Sequence, residues 1–235
     1  MKVEIYSDVA CPWCYIGERR FQRALAAFPQ ADRVEVVYRS YQLDPNTPET
    51  PMPLKEYLQK RFGRPVDDML QQVTENARGE GIEMAWDRAI SVNTLTAHRL
   101  FRLAEREYGA GVQRKLVEKL FAAHFSEGGD VSDHDLLTEL AVSVGMDEER
   151  VRAYLASNEG LDETREDLDQ ARRIGVQAVP TFVFEGQWAV QGAQSASTFL
   201  QVLEEVASKT AASSGEAESA EGGADGACAD GSCTV

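Results

Sequence analysis

Apolar and polar positions change their period three times along the chain. Val3, Ile5 and Tyr6 alternate and predict a short strand that begins almost at the first residue. Ile16, Arg20, Leu25 and Phe28 then fall on or near one helical face, and Val34-Glu35-Val36-Val37-Tyr38 predicts a second, strongly β-prone strand. Pro45, Pro48, Pro51 and Pro53 stop regular structure. From about Leu54 to Ile174 the period is almost wholly helical. Ala97, Phe101, Ala104 and Tyr108 share one face, Val112, Leu116, Leu120 and His124 another, and Asp133 can cap the helix after it. β character returns in Pro180-Thr181-Phe182-Val183-Phe184 and Trp188-Ala189-Val190, joined by Glu185-Gly186-Gln187 as a hairpin. Phe199, Leu200, Leu203 and Val206 predict a closing helix near Ser195 to Ala207. The pattern is an α/β sheet domain in two segments, 1–43 and 175–207, split by a mainly helical insertion over 44–174. The last helix of the insertion fits either part.

Residues 208–235 break the pattern: most are Ala, Gly or Ser, with one lysine against five acids. Such a segment buries too little apolar surface to offset a conformational entropy cost of roughly 1–2 kcal/mol per residue. It predicts a flexible acidic tail, yet one that carries Cys228 and Cys233 in a C-x4-C pair. The whole chain has 235 residues, with 24 basic and 39 acidic side chains and a formal charge of −15. That balance argues against a nucleic-acid partner, which needs a basic footprint, and against an anionic membrane surface. No apolar run is long enough to span a bilayer, and Met1 to Ser7 lacks the apolar core of a secretory signal, so a cytoplasmic protein is expected.

Four cysteines are too few for a disulfide scaffold, which directs attention to their context. Cys11-Pro12-Trp13-Cys14 sits directly after a predicted strand and directly before a predicted helix. A helix N-terminus carries unpaired N–H groups and the positive end of the macrodipole, which stabilise a thiolate. Cys11 is therefore expected to be the exposed nucleophile. Cys14, one turn in, is expected to attack a mixed disulfide and release product. Pro12 suits the first turn, where its missing N–H has no helical partner. A zinc half-site needs a second ligand pair, and the only other cysteines lie on the tail; His98, His124 and His134 lack the mutual spacing of a metal knuckle. Neither a metal nor a bound cofactor is expected.

Ala178-Val179-Pro180-Thr181 places a proline at a strand entrance, where proline is uncommon. With Ser7-Asp8 before Cys11-Pro12-Trp13-Cys14-Tyr15-Ile16-Gly17, then Asn93-Thr94, Ala97-His98-Arg99-Leu100, Gly175-Val176, Val179-Pro180-Thr181-Phe182 and Gln191-Gly192-Ala193-Gln194, the chain resembles the DsbA-like group of the thioredoxin superfamily and its cytoplasmic FrnE-like branch. The resemblance covers Lys2 to Ala207. It implies a thioredoxin fold interrupted by a helical domain, a cis Pro180 lying against the cysteine pair, and a Val179 backbone offering strand-like hydrogen bonds to a bound polypeptide. The implied activity is thiol–disulfide exchange on proteins, as isomerase, reductase or oxidase. Substrate proteins with disulfides or thiols would be its partners, and glutathione or a thioredoxin system would recycle it.

Two other readings share the architecture. Kappa-class glutathione transferases and 2-hydroxychromene-2-carboxylate isomerases generally carry serine where this chain has Cys11; with both cysteines present, dithiol chemistry is available instead. A chaperone-like module using an apolar groove between sheet and insertion is the third. Asn93 and His98 read as packing or positioning residues, or as a groove wall. Trp13 brings no positive charge to the Cys11 sulfur, so the couple should oxidise more weakly than relatives with histidine there. Trp13 itself fits a substrate-contacting rim or plain helix packing. An apolar face on the insertion would form a homodimer unless its own core buries it. Cys228 and Cys233 stand open between a tethered redox relay, a zinc- or redox-sensitive tail, and an inert pair.

Overall fold

The computed structural model describes residues 1–48 and 50–221, with side chains through Ala211. The chain begins with β1 (Lys2–Ser7), α1 (Pro12–Ala27) and β2 (Glu35–Ser40). The middle holds β3 (Met52–Pro53), α2 (Leu54–Phe62), α3 (Asp67–Gly79), β4 (Ile90–Ser91), α4 (Leu95–Tyr108), α5 (Ala110–Phe121), α6 (His134–Ser143), α7 (Glu148–Leu155) and α8 (Leu161–Arg173). It closes with β5 (Thr181–Phe184), β6 (Trp188–Gln191) and α9 (Ala196–Glu221).

β1 is buried on both faces because it is central in a sheet ordered β2-β1-β5-β6. It runs parallel to β2, with Ile5 opposite Tyr38, and antiparallel to β5, with Ile5 opposite Phe182. A parallel neighbour needs a crossover, and α1 supplies it. α1 packs with α9 and also touches α5, while α4, α5 and α8 lie against β2. Phe21 of α1 stands 5.2 Å from the Phe182 ring and meets Phe199 of α9 edge-on at 5.5 Å. All three rings are fully buried, and each such side chain contributes roughly 1.5–3 kcal/mol on burial. Tyr15 stacks on Phe121 at 5.3 Å and joins α1 to α5.

The outer edge of β2 is closed by one side chain. Gln113 of α5 accepts the Tyr38 N–H at 2.8 Å and donates to the Tyr38 carbonyl at 3.1 Å, imitating a neighbouring strand. A free strand edge would otherwise leave these groups buried without partners.

Three local outcomes depart from the hydrophobic pattern. The insertion holds an antiparallel two-residue pairing, with Met52 opposite Ser91, that joins the proline-rich boundary to a stretch whose pattern is almost wholly helical. The helix expected to run through His124 instead widens into a π-type turn, Ala122–Glu127, and ends at Gly128 with φ +75°. At that end a Cβ on Gly128 would lie 2.7 Å from Arg88 Cβ and 2.8 Å from its carbonyl oxygen, so only glycine fits against the Arg88 loop. Finally, α9 continues to Glu221, past Ala207, where the pattern predicts a flexible tail to begin. Alanine-rich sequence has the highest helix propensity, and Lys209 pairs with Glu205 one turn back at 2.7 Å. Among the described residues no helix is long and apolar enough to cross a membrane.

Candidate active site

Cys11 occupies the N-cap of α1 with an extended backbone (φ −101°, ψ 109°), and Pro12 opens the first turn. The Cys11 N–H bonds the Asp8 carbonyl at 3.0 Å, and the Cys14 N–H bonds the Cys11 carbonyl at 3.0 Å. Both cysteines are free thiols. The Val179–Pro180 peptide is cis, and it brings the Val179 carbonyl to 3.6 Å from Cys11 Sγ. The expectation of an exposed nucleophile needs correction: Cys11 is only 4% exposed. The loop that bears Val179 covers it, a long-range contact invisible in local sequence. Pro12 and Trp13 are half-buried beside the pair, with Trp13 packed on the core.

Gly17 makes this approach fit. A Cβ there would stand 3.0 Å from Pro180 Cγ and 3.4 Å from Ala193 Cα. Arg20, one turn on, fastens the same junction by donating to the Ala193 carbonyl at 2.7 Å and to Glu80 Oε1 at 2.9 Å.

Cys14 is enclosed more deeply, at 2% exposure. Burial pushes its thiol well above the ordinary range, and the neighbouring Cys11 sulfur adds to this; hydrogen bonds from the Ser7 side chain and the Asp8 backbone act the other way. Glu18, one turn further along α1, is also buried and accepts hydrogen bonds from Tyr38 Oη at 2.6 Å and Gln22 Nε2 at 2.5 Å. Burial raises its carboxyl pKa against the opposing effect of those two bonds.

Asp8 ties the cysteine loop to the rest of the molecule. Its carboxylate accepts from the Leu43 N–H at 2.7 Å, Thr94 Oγ1 at 2.8 Å and the Ala10 N–H at 3.2 Å, and lies 3.3 Å from His98 Nε2. Burial alone would raise its pKa, but the adjacent His98 ring, the Leu43 N–H and the Thr94 hydroxyl hold it below the usual carboxylate value. Asn93 accepts from Gln42 Nε2 and from the Leu95 N–H, both at 3.1 Å. Asn93 and His98 therefore position the loops around the cysteines. Glu18 and Gln113 make their buried contacts without forming any short motif, and Asp8 enters the sequence reading only through Ser7-Asp8 in the resemblance. The one sequence cue was a carboxylate three residues ahead of Cys11, at the end of an apolar strand.

The structure brings Cys11, Pro12, Trp13, Cys14, Val179 and Pro180 together. Cys228 and Cys233 lie outside the described residues. Among the described residues no group of three or more His, Cys, Asp or Glu side chains is arranged to hold a metal ion.

A family model described as "DSBA-like thioredoxin domain" matches residues 2–204. A crystal structure of a probable DsbA oxidoreductase from Streptomyces coelicolor is 37% identical and superposes with a TM-score of 0.80, covering 88% of this chain and 89% of that one. The uncharacterized protein YwbO of Bacillus subtilis strain 168 is 28% identical over 208 residues, spanning 86% of this chain and 94% of its own. The cytosolic disulfide reductase DsbM of Pseudomonas aeruginosa shares the fold at 15% identity and a TM-score of 0.62, over 87% of this chain and 98% of that chain.

Proposed function

Because this chain belongs to the DsbA-like thioredoxin domain family, we propose that it exchanges thiols and disulfides on protein substrates, with Cys11 as nucleophile and Cys14 as resolving thiol. The observation that carries this reading is the meeting of Cys11 at the α1 N-terminus with the Val179 carbonyl, 3.6 Å from its sulfur. The positive end of α1 faces that sulfur. The Val179 backbone is suited to pair with an extended substrate segment, as an edge strand would.

In the reducing direction the Cys11 thiolate attacks one sulfur of a substrate disulfide. The new S–S bond forms as the old one breaks, and the departing substrate thiolate takes a proton. Cys14 then loses its proton and attacks Cys11 Sγ, forming the Cys11–Cys14 disulfide and releasing the second substrate thiol. Two electrons pass from the protein to the substrate, and a thiol reductant of the glutathione or thioredoxin type returns them. Isomerisation uses the first step, after which a different substrate thiolate attacks the mixed disulfide, forming a new substrate disulfide and releasing the Cys11 thiolate. Trp13 puts no cation beside Cys11, which favours reduction or isomerisation in a reducing compartment such as the cytoplasm. Cys228 and Cys233 are assigned to a relay that exchanges with this pair; a Cys228→Ser/Cys233→Ser variant with unchanged turnover would dismiss that assignment.

The reading is tested with Cys14→Ser, which should accumulate mixed disulfides to Cys11 that a reductant releases. Absence of any trapped partner from a folded Cys14→Ser protein would overturn it.

A further inference from the structure

Three parts of the chain that are distant in sequence meet on one guanidinium. Arg20 of α1 donates from Nη1 to the Ala193 carbonyl at 2.7 Å, from Nε to Glu80 Oε1 at 2.9 Å and from Nη2 to Asn76 Oδ1 at 3.0 Å. Its side chain is 17% exposed and that of Glu80 only 8%, so the bond between them is largely shielded from water. Asn76 stands in the last turn of α3 and Glu80 directly follows that helix, both within the helical insertion; Ala193 stands in the loop between β6 and α9. A planar guanidinium presents its donors in fixed directions, so acceptors bound on three of its nitrogens fix one another's positions. Arg23 binds the second carboxylate oxygen of Glu80 at 2.7 Å and holds that acceptor in place.

From Ala193 the path to the cysteines is short. The N–H of Gly192, one residue back, bonds the Pro180 carbonyl at 2.7 Å and extends the β5–β6 ladder past the Thr181–Gln191 pair. The Pro180 ring and Ala193 both lie against Gly17 of α1. On the far side of the same cis peptide, the Val179 carbonyl lies 3.6 Å from Cys11 Sγ. Arg20 donates to neither cysteine, and acts through Ala193 and Gly192.

We propose that Arg20 is a positioning residue of the exchange site, through which the helical insertion sets where the Val179–Pro180 backbone stands relative to Cys11. The tie ends on the loop whose backbone holds Pro180, so its effect falls on substrate engagement and not on stability alone. A polypeptide that lies along Val179 meets any shift of that edge, and a misplacement of about 1 Å can cost on the order of a hundredfold in rate. A small disulfide that meets only the Cys11 sulfur does not depend on that edge. The inference rests on the oxidoreductase reading for the reaction that Arg20 serves, while the tie itself stands on geometry.

The experiment uses the reduced full chain and two disulfides: a peptide with extended segments on both sides of the attacked cysteine, and bis(2-hydroxyethyl) disulfide. Arg20→Lys keeps a cation beside Glu80 but cannot span three acceptors in fixed directions. Asn76→Ala/Glu80→Ala keeps the Arg20–Ala193 bond available and releases only the insertion. In single-turnover oxidation each variant should react about tenfold more slowly with the peptide, chiefly through a weaker half-saturation, with the small disulfide little changed. The amide NMR resonance of Gly192 should move in both variants, and urea midpoints report stability separately. Equal slowing of both disulfides, or no slowing in a folded Arg20→Lys protein, would overturn the proposal. So would a peptide rate that Asn76→Ala/Glu80→Ala leaves unchanged, since the insertion would then have no part in it. Should Arg20→Lys fail to fold, the double variant decides by the same rates. If the parent reacts with neither disulfide, the oxidoreductase reading falls, and a Gly192 resonance unmoved in both variants would overturn the tie as well.

Discussion

Gly17 and Pro180 meet at a distance that leaves no room for a side chain: a Cβ on Gly17 would lie 3.0 Å from Pro180 Cγ. Gly17→Ala should therefore push the Pro180 loop away from α1 and move the Val179 carbonyl off Cys11. Overpacking of this kind costs about 1–3 kcal/mol. Denaturant unfolding should register that loss, and trapping of mixed disulfides at Cys11 should slow with it. A variant as stable and as fast as the parent would show that the loop adapts without cost.

The two thiols should separate by pH in the reduced protein. Burial and the adjacent Cys11 sulfur keep Cys14 protonated well past the ordinary thiol range. Alkylation by iodoacetamide, followed at each cysteine by mass spectrometry, should leave Cys14 largely unmodified at pH 9 in folded protein. Rapid modification of Cys14 at neutral pH without unfolding would contradict the enclosed geometry.

Acid should weaken the fold in two successive windows. His124 has its pKa lowered to about 4, by burial first, although Asp8 and Asp130 pull it upward. The unfolded chain therefore binds the extra proton first, so stability is full above about pH 6.5 and falls as pH drops toward 4. The loss should be on the order of 3 kcal/mol. Asp8, whose pKa is lowered from 3.8, contributes stability that is present above that value and lost as pH falls further. Urea midpoints measured between pH 7 and 3 should show the first decline. In His124→Phe that decline should flatten, while Asp8→Asn should leave it in place and reduce stability at neutral pH by about 2–3 kcal/mol.

Gln113→Leu should uncover the buried N–H and C=O of Tyr38 on the outer edge of β2. Leaving two such groups unpaired costs about 2 kcal/mol or more, and the opened edge should promote association. Unfolding curves and light scattering report the two effects separately. Unchanged stability would mean that water satisfies the strand edge.

Much of this protein is legible along the chain because its signals are local. The alternation at Val3 and Ile5, the prolines from Pro45 to Pro53, the cap at Asp133 and the strand–C-x-x-C–helix order each act within a few residues. They suffice for the α/β architecture and for singling out Cys11 and Cys14. The side chain of Asp133 does cap α6, bonding the Leu136 N–H at 2.9 Å.

The burial of Cys11, the bonds converging on Asp8 and the plug at Gln113 involve partners far apart in sequence: Val179 is 168 residues from Cys11, and Gln113 is 75 from Tyr38. No periodicity encodes such meetings. Whether a carboxylate, an amide or an imidazole is buried, and against what, depends on which elements pack together and on the hydrogen bonds their packing leaves to be made. Local chemistry thus singled out Cys11 and Cys14, and the packing of distant elements decided how they are covered and what holds them in place.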